Sequence, residues 1–371
     1  MLKEMIHEKG LPQVLRMNDG RICADREMWE LRRREIVDLF AREVYGYMPP
    51  APERVSFRTV ESREELMAGA ASYQRVEASF DTPGGLFAFE FDFYLPYSDR
   101  KVPAFVYIQF PEHPVHSTFP VEEITHNGFA VAMVRNCNVM EDRDDFSQGL
   151  AGRYLKDPDN RTDMEWGAIG AWAFAASRIM DYLHTLHTVD FDRIAVVGHS
   201  RLGKTALWCA ANDDRFQLAV INASGNTGAS LSAWKDEKAE KIAQIVEKFP
   251  YWFCKNYHKY AGKETELPFD QHMLTSSLAP RRFYVCSGSQ DVWAGPLSEF
   301  LCCAASDDVY RMLGLKGLLC PDALPIPGCV YDEGRIGYSM HEGKHFMGSF
   351  EWNNVMKYMA RMAEAEHGPQ L

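Results

Sequence analysis

Five short stretches of the chain are almost uninterruptedly apolar, which is unusual outside fully buried strands. They lie at 102–110, 128–135, 193–200, 216–225 and 281–289. A strand that is covered on both faces is apolar at consecutive positions, whereas a half-exposed strand alternates. Helical periodicity separates several of these stretches, at 165–187, 201–212 and about 296–314. This alternation predicts an α/β fold with a doubly wound, mostly parallel sheet.

The regions outside this alternation predict additions to the same domain. Residues 26–47 have apolar positions at helical spacing and predict an N-terminal helix. Residues 73–96 alternate on both sides of Pro83-Gly84-Gly85 and predict a β-hairpin. Residues 229–278 combine a charged helical stretch with aromatic residues, and we expect an excursion that covers the carboxyl edge of the sheet. We therefore interpret residues 1–371 as a single domain.

Charge and composition exclude several classes of partner. A net charge of -12 argues against nucleic acid or an anionic membrane as a partner. We find no apolar run of about 18 residues and no secretory leader pattern, so we expect no membrane partner. Nine cysteines without a C-x-x-C pair fit a reducing compartment. We expect a cytoplasmic protein, or a secreted one if a leader has been removed.

A serine stands at one junction of strand and helix. In Gly198-His199-Ser200-Arg201-Leu202-Gly203, the strand ends at the serine and the helix follows directly. Such a corner exposes a nucleophile in strained backbone, and small neighbours let the strand and the helix approach closely. The second glycine comes one residue later than in the G-x-S-x-G pattern. Taken alone, the corner also fits an ordinary α/β connection.

Two later segments supply partners for the serine. Asp291 follows the strand at 281–289, and His341 and His345 follow a further predicted strand. Serine, acid and histidine in this chain order are typical of the α/β-hydrolase fold. We therefore predict Ser200, Asp291 and His345 as a catalytic triad.

Other polar motifs carry weaker signals. His113 and His116 have a spacing that could hold zinc, but no acidic or cysteine partner follows at a suitable distance, so we predict no metal site. The acidic run at 141–149 is interpreted as a solvated loop.

The serine segment resembles a known motif. Gly198-His199-Ser200-Arg201-Leu202-Gly203-Lys204 is similar to the G-C-S-R-x-G-K nucleophile motif of the glucuronoyl esterases, carbohydrate esterase family fifteen. The resemblance spans roughly residues 30 to 360. It implies an α/β-hydrolase fold, a serine triad without metal or cofactor, and cleavage of esters between glucuronic acid on xylan and lignin alcohols.

The resemblance also implies roles for individual residues. Ser200 resembles the nucleophile and His345 the general base, while Arg201 resembles the arginine that assists the oxyanion. On the substrate side, three residues resemble the family's sugar-binding side chains, namely Lys204, Trp252 and Glu240. An aromatic face suits the apolar face of a pyranose, and a guanidinium suits developing negative charge.

Two positions depart from the family pattern. His199 stands where the family has a cysteine, and Asn226 stands where many members carry the acid of the triad. An amide cannot stabilise an imidazolium as a carboxylate does. We therefore assign the acid to Asp291, and we expect Glu299 to be a poor rival about two turns into the following helix.

The leading hypothesis is a serine carboxylic-ester hydrolase that cleaves 4-O-methyl-glucuronoyl esters of the xylan and lignin–carbohydrate type. Its expected partner is a carbohydrate ester, either glucuronoxylan or an oligosaccharide. One alternative is an acetyl xylan esterase or another sugar-ester deacetylase. The other is a catalytically inactive carbohydrate-binding relative, which would lack a member of the triad.

Overall fold

A single sheet runs through the protein in a computed structural model that describes residues 1–111, 119–234 and 236–367. Its strands are β1 Ser56–Leu66, β2 Ala71–Thr82, β3 Gly85–Pro96, β4 Val102–Gln109, β5 Ala130–Arg135, β6 Val189–His199, β7 Leu218–Asn222, β8 Arg282–Gly288, β9 Val330–Tyr331 and β10 Ile336–His341. Their order across the sheet is β1-β2-β3-β5-β4-β6-β7-β8-β10-β9. The strands from β5 to β10 in this order run parallel, and the antiparallel pairs lie towards the two edges.

Helices occupy most of the connections between strands. Their bounds are α1 Leu2–Glu8, α2 Arg26–Phe40, α3 Val121–His126, α4 Gly149–Gly152, α5 Ala168–Leu183, α6 Arg201–Asn212, α7 Ile242–Lys248, α8 Gln271–Ser276, α9 Pro296–Met312 and α10 Ser349–His367. Those predicted at 165–187, 201–212 and 296–314 are confirmed as α5, α6 and α9, with α6 at the predicted bounds and the ends of the other two within a few residues of theirs.

The central strands are buried on both faces, as their apolar runs predict. Every residue of β4 is buried, and its side chains divide between two separate cores. Val106 packs in the core that contains Trp172 of α5 and Leu207 of α6, whereas Phe105 packs in the core that contains Trp352 of α10. Helices therefore cover both sides of the sheet, and the predicted doubly wound α/β fold is confirmed.

The N-terminal region matches its prediction in part. Helix α2 ends at Phe40, and a π-helical turn at Ala41–Tyr45 completes the predicted helical stretch. The hairpin is confirmed as β2 and β3, which pair from Ala71 with Pro96 to Thr82 with Gly85. Strand β1 escapes the sequence pattern because it is an edge strand with mostly exposed, charged side chains.

The segment at 229–278 lies in the crossover from β7 to β8. It contains α7, α8 and a 3₁₀ turn at Lys255–Tyr260. The side chains that it contributes to the carboxyl edge of the sheet include Glu240 and Trp252.

Two further observations concern membrane-spanning helices and the burial of the cysteines. Among the helices in the described ranges, none combines the length and the apolarity that a membrane crossing requires. All nine cysteines lie in these ranges, and six of them are buried.

Candidate active site

The serine sits at a strained corner between β6 and α6. Ser200 has φ 59° and ψ -128°, in the positive-φ region that non-glycine residues rarely adopt. The corner is tight because a Cβ at Gly198 would lie 1.9 Å from the carbonyl oxygen of Leu202. The Ser200 amide donates to the Asn222 carbonyl of β7 at 2.8 Å. This packing holds the serine at the carboxyl end of β6, beside the first turn of α6.

Asp291 and His345 meet across the ends of two other strands. The loop after β8 carries Asp291, and the loop after β10 carries His345. Oδ2 of Asp291 lies 2.5 Å from Nδ1 of His345. Asp291 is buried, whereas the His345 side chain is 39% exposed. A carboxylate at this position accepts Nδ1–H and leaves Nε2 as the proton acceptor.

Asn226 is hydrogen-bonded within its own loop. Its Oδ1 accepts hydrogen bonds from the Thr227 amide at 3.0 Å and from the Ser232 hydroxyl at 2.8 Å. The residue is fully buried within the loop after β7. In this chain, therefore, that loop places an amide in a structural hydrogen-bond network, and the carboxylate at His345 comes from the next strand.

Arg201 is held among aromatic rings beside the serine. The centre of its guanidinium lies 5.0 Å from the Phe110 ring centroid and 4.9 Å from that of Trp252. Its Nη1 is paired with the carboxylate of Asp142. Its Nε is buried and has no hydrogen-bond partner among the described residues. The guanidinium is therefore fixed in place and keeps a free donor.

Asp142 is the functional residue that sequence reasoning missed. The acidic run at 141–149 was expected to be a solvated loop, but Asp142 points into the site. Besides Arg201, it accepts hydrogen bonds from the Tyr251 hydroxyl at 3.0 Å and from Trp252 Nε1 at 2.8 Å. A cluster of acids gives no local sign of which member faces inwards, because its partners lie about 60 to 110 residues away.

The residues that resemble sugar-binding side chains gather around one cavity of about 390 Å³. Lys204 is buried there and donates to Glu240 at 2.9 Å, to the Ser224 carbonyl at 2.7 Å and to the Asn226 carbonyl. Trp252 lines the same cavity and stacks on Phe249 with 3.8 Å between ring centroids. All three ammonium protons of Lys204 thus have partners, so this residue also braces the loop after β7.

A second cavity of about 350 Å³ adjoins the first. Three residues line both cavities: Ser200, Arg201 and His345. The walls of the second cavity include Phe110, Asn136, Glu141, Asp142, His199 and Phe346. The serine therefore lies where the two cavities meet, so the acyl and the alkoxy part of an ester can occupy different sides of it.

Glu299 lies closer to the site than its sequence position suggests. It was expected two turns into a helix, but α9 begins at Pro296, so Glu299 is in the first turn. Its carboxylate accepts from the Ser287 hydroxyl at 2.6 Å and from the Gly225 amide at 3.1 Å. Burial raises the pKa of this carboxyl to about 7. Glu299 therefore contacts Ser224 and Gly225, which line the cavity. The carboxylate that contacts His345 is that of Asp291.

Within the part of the chain that the structure describes, no group of three or more histidine, cysteine or acidic side chains is arranged to bind a metal ion. His113 and His116 lie outside the described residues.

Known proteins of similar sequence and structure are named as carbohydrate or glucuronoyl esterases. A family model described as "Glucuronyl esterase, fungi" matches residues 81–314. The chain is 33% identical to "Carbohydrate esterase MZ0003" from an unknown prokaryotic organism, over 94% of this chain and 88% of that protein. It is 28% identical to 4-O-methyl-glucuronoyl methylesterase 1 of Wolfiporia cocos, over 82% of this chain and 72% of that protein. A glucuronoyl esterase structure from Solibacter usitatus superposes with a TM-score of 0.85 at 30% identity, over 96% and 98% of the two chains.

The contact between Asp142 and Arg201 leads to a first prediction. Asp142→Asn removes the charge that fixes the guanidinium, so we expect kcat for ester hydrolysis to fall by about tenfold, part of the effect of losing one oxyanion donor. Steady-state kinetics on a soluble ester measures this. Asp144→Asn, at an exposed acid of the same run, is the matched control and should keep the wild-type rate. Equal rates in both variants would contradict a role for Asp142.

The buried carboxyl of Glu299 leads to a second prediction. The folded protein holds this proton up to about pH 7, whereas the unfolded chain releases it near pH 4.5. The wild type should therefore lose stability as the pH rises between these values, on the order of 3 kcal/mol in the free energy of unfolding. Denaturant unfolding of the wild type and of Glu299→Gln at pH 5 and pH 8 measures the difference.

We expect Glu299→Gln to lack this loss, because an amide carries no titrating proton. Glu65→Gln, at an exposed edge position, should follow the wild type. A parallel pH dependence in wild type and Glu299→Gln would show that the carboxyl is ionised throughout this range.

Proposed function

The chain belongs to the glucuronoyl esterase family and is a carboxylic ester hydrolase, and from this premise we propose that it cleaves 4-O-methyl-glucuronoyl esters of glucuronoxylan or its oligosaccharides. The observation that carries the proposal is the pairing of Asp291 with His345 beside a serine that opens onto two cavities. One cavity can hold a uronoyl group, and the other can hold the alcohol.

The reaction we propose begins with attack of the Ser200 hydroxyl on the ester carbonyl. His345 accepts the serine proton at Nε2, and the carboxylate of Asp291 stabilises the resulting imidazolium. The amide of Arg201 and its guanidinium stabilise the oxyanion. His345 then returns the proton to the departing alcohol, which leaves an acyl-enzyme on Ser200. Water, deprotonated by His345, releases the uronic acid and restores the serine.

The chemistry of the larger cavity supports a uronoyl group on the acyl side. Trp252 offers an aromatic face for a pyranose ring, and Glu240 offers acceptor oxygens for sugar hydroxyls. Lys204 holds Glu240 and the loop after β7 in position. We propose that Lys204 supports sugar binding through Glu240, so its replacement affects both substrate binding and the loop.

Substrate choice provides the direct test of the proposed function. We expect rapid hydrolysis of benzyl glucuronate and little release of acetate from acetylated xylan, because an acetyl group makes none of the contacts available to a uronoyl ring. Ser200→Ala should lose several orders of magnitude in kcat on the better substrate while keeping its folded structure. A preference for acetylated xylan would favour the deacetylase alternative, and full activity of Ser200→Ala would exclude the serine mechanism.

The position of the acid provides a sharper test. Asp291→Asn leaves the imidazole without a carboxylate, so we expect kcat to fall by roughly 10³- to 10⁴-fold with little change in KM. Asn226→Ala is the matched control in the loop where many relatives carry the acid. It should lower stability, because it removes buried hydrogen bonds, but it should change kcat far less. A larger loss of kcat in Asn226→Ala than in Asp291→Asn would contradict the assignment.

A further inference from the structure

The loop that carries His345 is bracketed by a second pair of ionisable residues. This loop joins β10 to α10, between His341 and Ser349. His341 lies at the end of the strand, and Glu351 lies in the first turn of the helix. Neither residue takes part in the proposed reaction, and both are largely buried, with side chains 14% and 2% exposed.

This pair contacts the loop at both ends. Nδ1 of His341 lies 2.7 Å from Oε1 of Glu351, and its Nε2 lies 2.8 Å from the carbonyl oxygen of Lys344, the residue before His345. The other oxygen of Glu351 accepts a hydrogen bond from the Gly348 amide at 2.7 Å. One imidazole and one carboxylate therefore connect the strand end, the backbone directly before His345 and the helix start.

The two neighbours of the His341 ring define its protonation state. Both ring nitrogens face oxygen atoms, a carboxyl oxygen of Glu351 and the peptide carbonyl of Lys344. A neutral imidazole has one N–H, so one of its nitrogens would direct a lone pair at an oxygen less than 3 Å away. The imidazolium donates to the Lys344 carbonyl and is attracted to an ionised Glu351 carboxylate, which removes this repulsion. The arrangement therefore favours the charged ring.

The end of β8 packs closely against this loop at Gly288. A Cβ at Gly288, the last residue of β8, would lie 2.5 Å from the Lys344 carbonyl oxygen and 3.0 Å from Cε1 of His341. The Ser289 amide donates to the His341 carbonyl at 2.9 Å, and the Gln290 amide donates to Gly343 at 2.7 Å. The same backbone then leads to Asp291. The loops of Asp291 and His345 are thus packed together at the position of the His341 ring.

We propose that the His341 imidazolium and Glu351 form a clamp that positions His345 against Asp291, and that the clamp opens when His341 loses its proton. This inference rests on the proposed function, because it assumes that His345 is the general base. His341 and Glu351 are positioning residues. They act through the loop backbone and do not contact the ester.

The charges around His341 determine the direction of the pH effect. Contact with Glu351 raises the pKa of His341 above its usual 6.5, and the charge of Asp291 acts in the same direction, while burial opposes them. On its own loop, the neighbouring charged residues are Glu342 and Lys344, and both are exposed. Because the folded-state pKa is raised, the clamp is complete below pH 6.5 and is lost as the pH rises through the raised value.

The test compares pH profiles of kcat in the wild type, His341→Gln and Glu351→Gln. We expect kcat of the wild type to fall as the pH rises above the raised pKa of His341. In Glu351→Gln we expect the same fall at a lower pH than in the wild type, because the carboxylate that raises the pKa is gone. His341→Gln should have a five- to tenfold lower kcat at pH 6, a KM within twofold of the wild type, and no alkaline loss from this group. His187→Gln, at an exposed histidine remote from the loop, is the matched control and should keep the wild-type profile.

A second measurement needs no substrate and no variant at His341. In protein labelled at histidine Cε1, the His341 resonance of the wild type should titrate above pH 6.5, and in Glu351→Gln it should move towards 6.5. Titration at or below pH 6.5 in the wild type, or a wild-type kcat profile in His341→Gln, overturns the clamp. Absence of ester hydrolysis in the wild type would instead refute the proposed function, and the titration would still report on the ion pair.

Discussion

The close packing of β6 against α6 at Gly198 is the constraint on which the site depends. A side chain at Gly198 would collide with the Leu202 carbonyl, so only glycine lets the chain turn from strand to helix within one residue. The turn holds Ser200 in a backbone conformation that it would otherwise avoid. The sheet supplies the opposing support, because β7 accepts the Ser200 amide. The surrounding fold therefore holds the backbone of Ser200 in an unfavourable conformation, and this conformation determines the position of the Ser200 side chain.

The polar groups around this corner come in partnered sets. Arg201 pairs with Asp142, Lys204 with Glu240, and His345 with Asp291. In each pair at least one member is largely shielded from water, where an unpartnered charge is expensive. The partners come from distant parts of the chain, so each pair also fixes two elements relative to each other. Groups held in this way need little reorganisation when charge develops in a transition state.

The carboxyl edge of a parallel sheet explains how these pairs can form. Strands β6, β7, β8 and β10 are neighbours, so the loops that follow them open onto the same edge. A carboxylate on the loop after β8 can therefore reach a histidine on the loop after β10, although 54 residues separate them. In this chain the loop after β7 is occupied by the buried amide of Asn226, and the carboxylate at His345 comes from the next strand.

The sequence by itself determined the layered fold, since short runs of consecutive apolar residues that alternate with helical segments fit strands that are covered on both faces. It also placed Ser200, Asp291 and His345 at strand ends, because the order of strands and loops is local information. It did not show which contacts Asp142, Glu299, His341 and Glu351 make. Those residues acquire their environment from partners in other elements. Whether a carboxylate in an acidic run is solvated or buried against an arginine is decided only when the tertiary structure brings the two together.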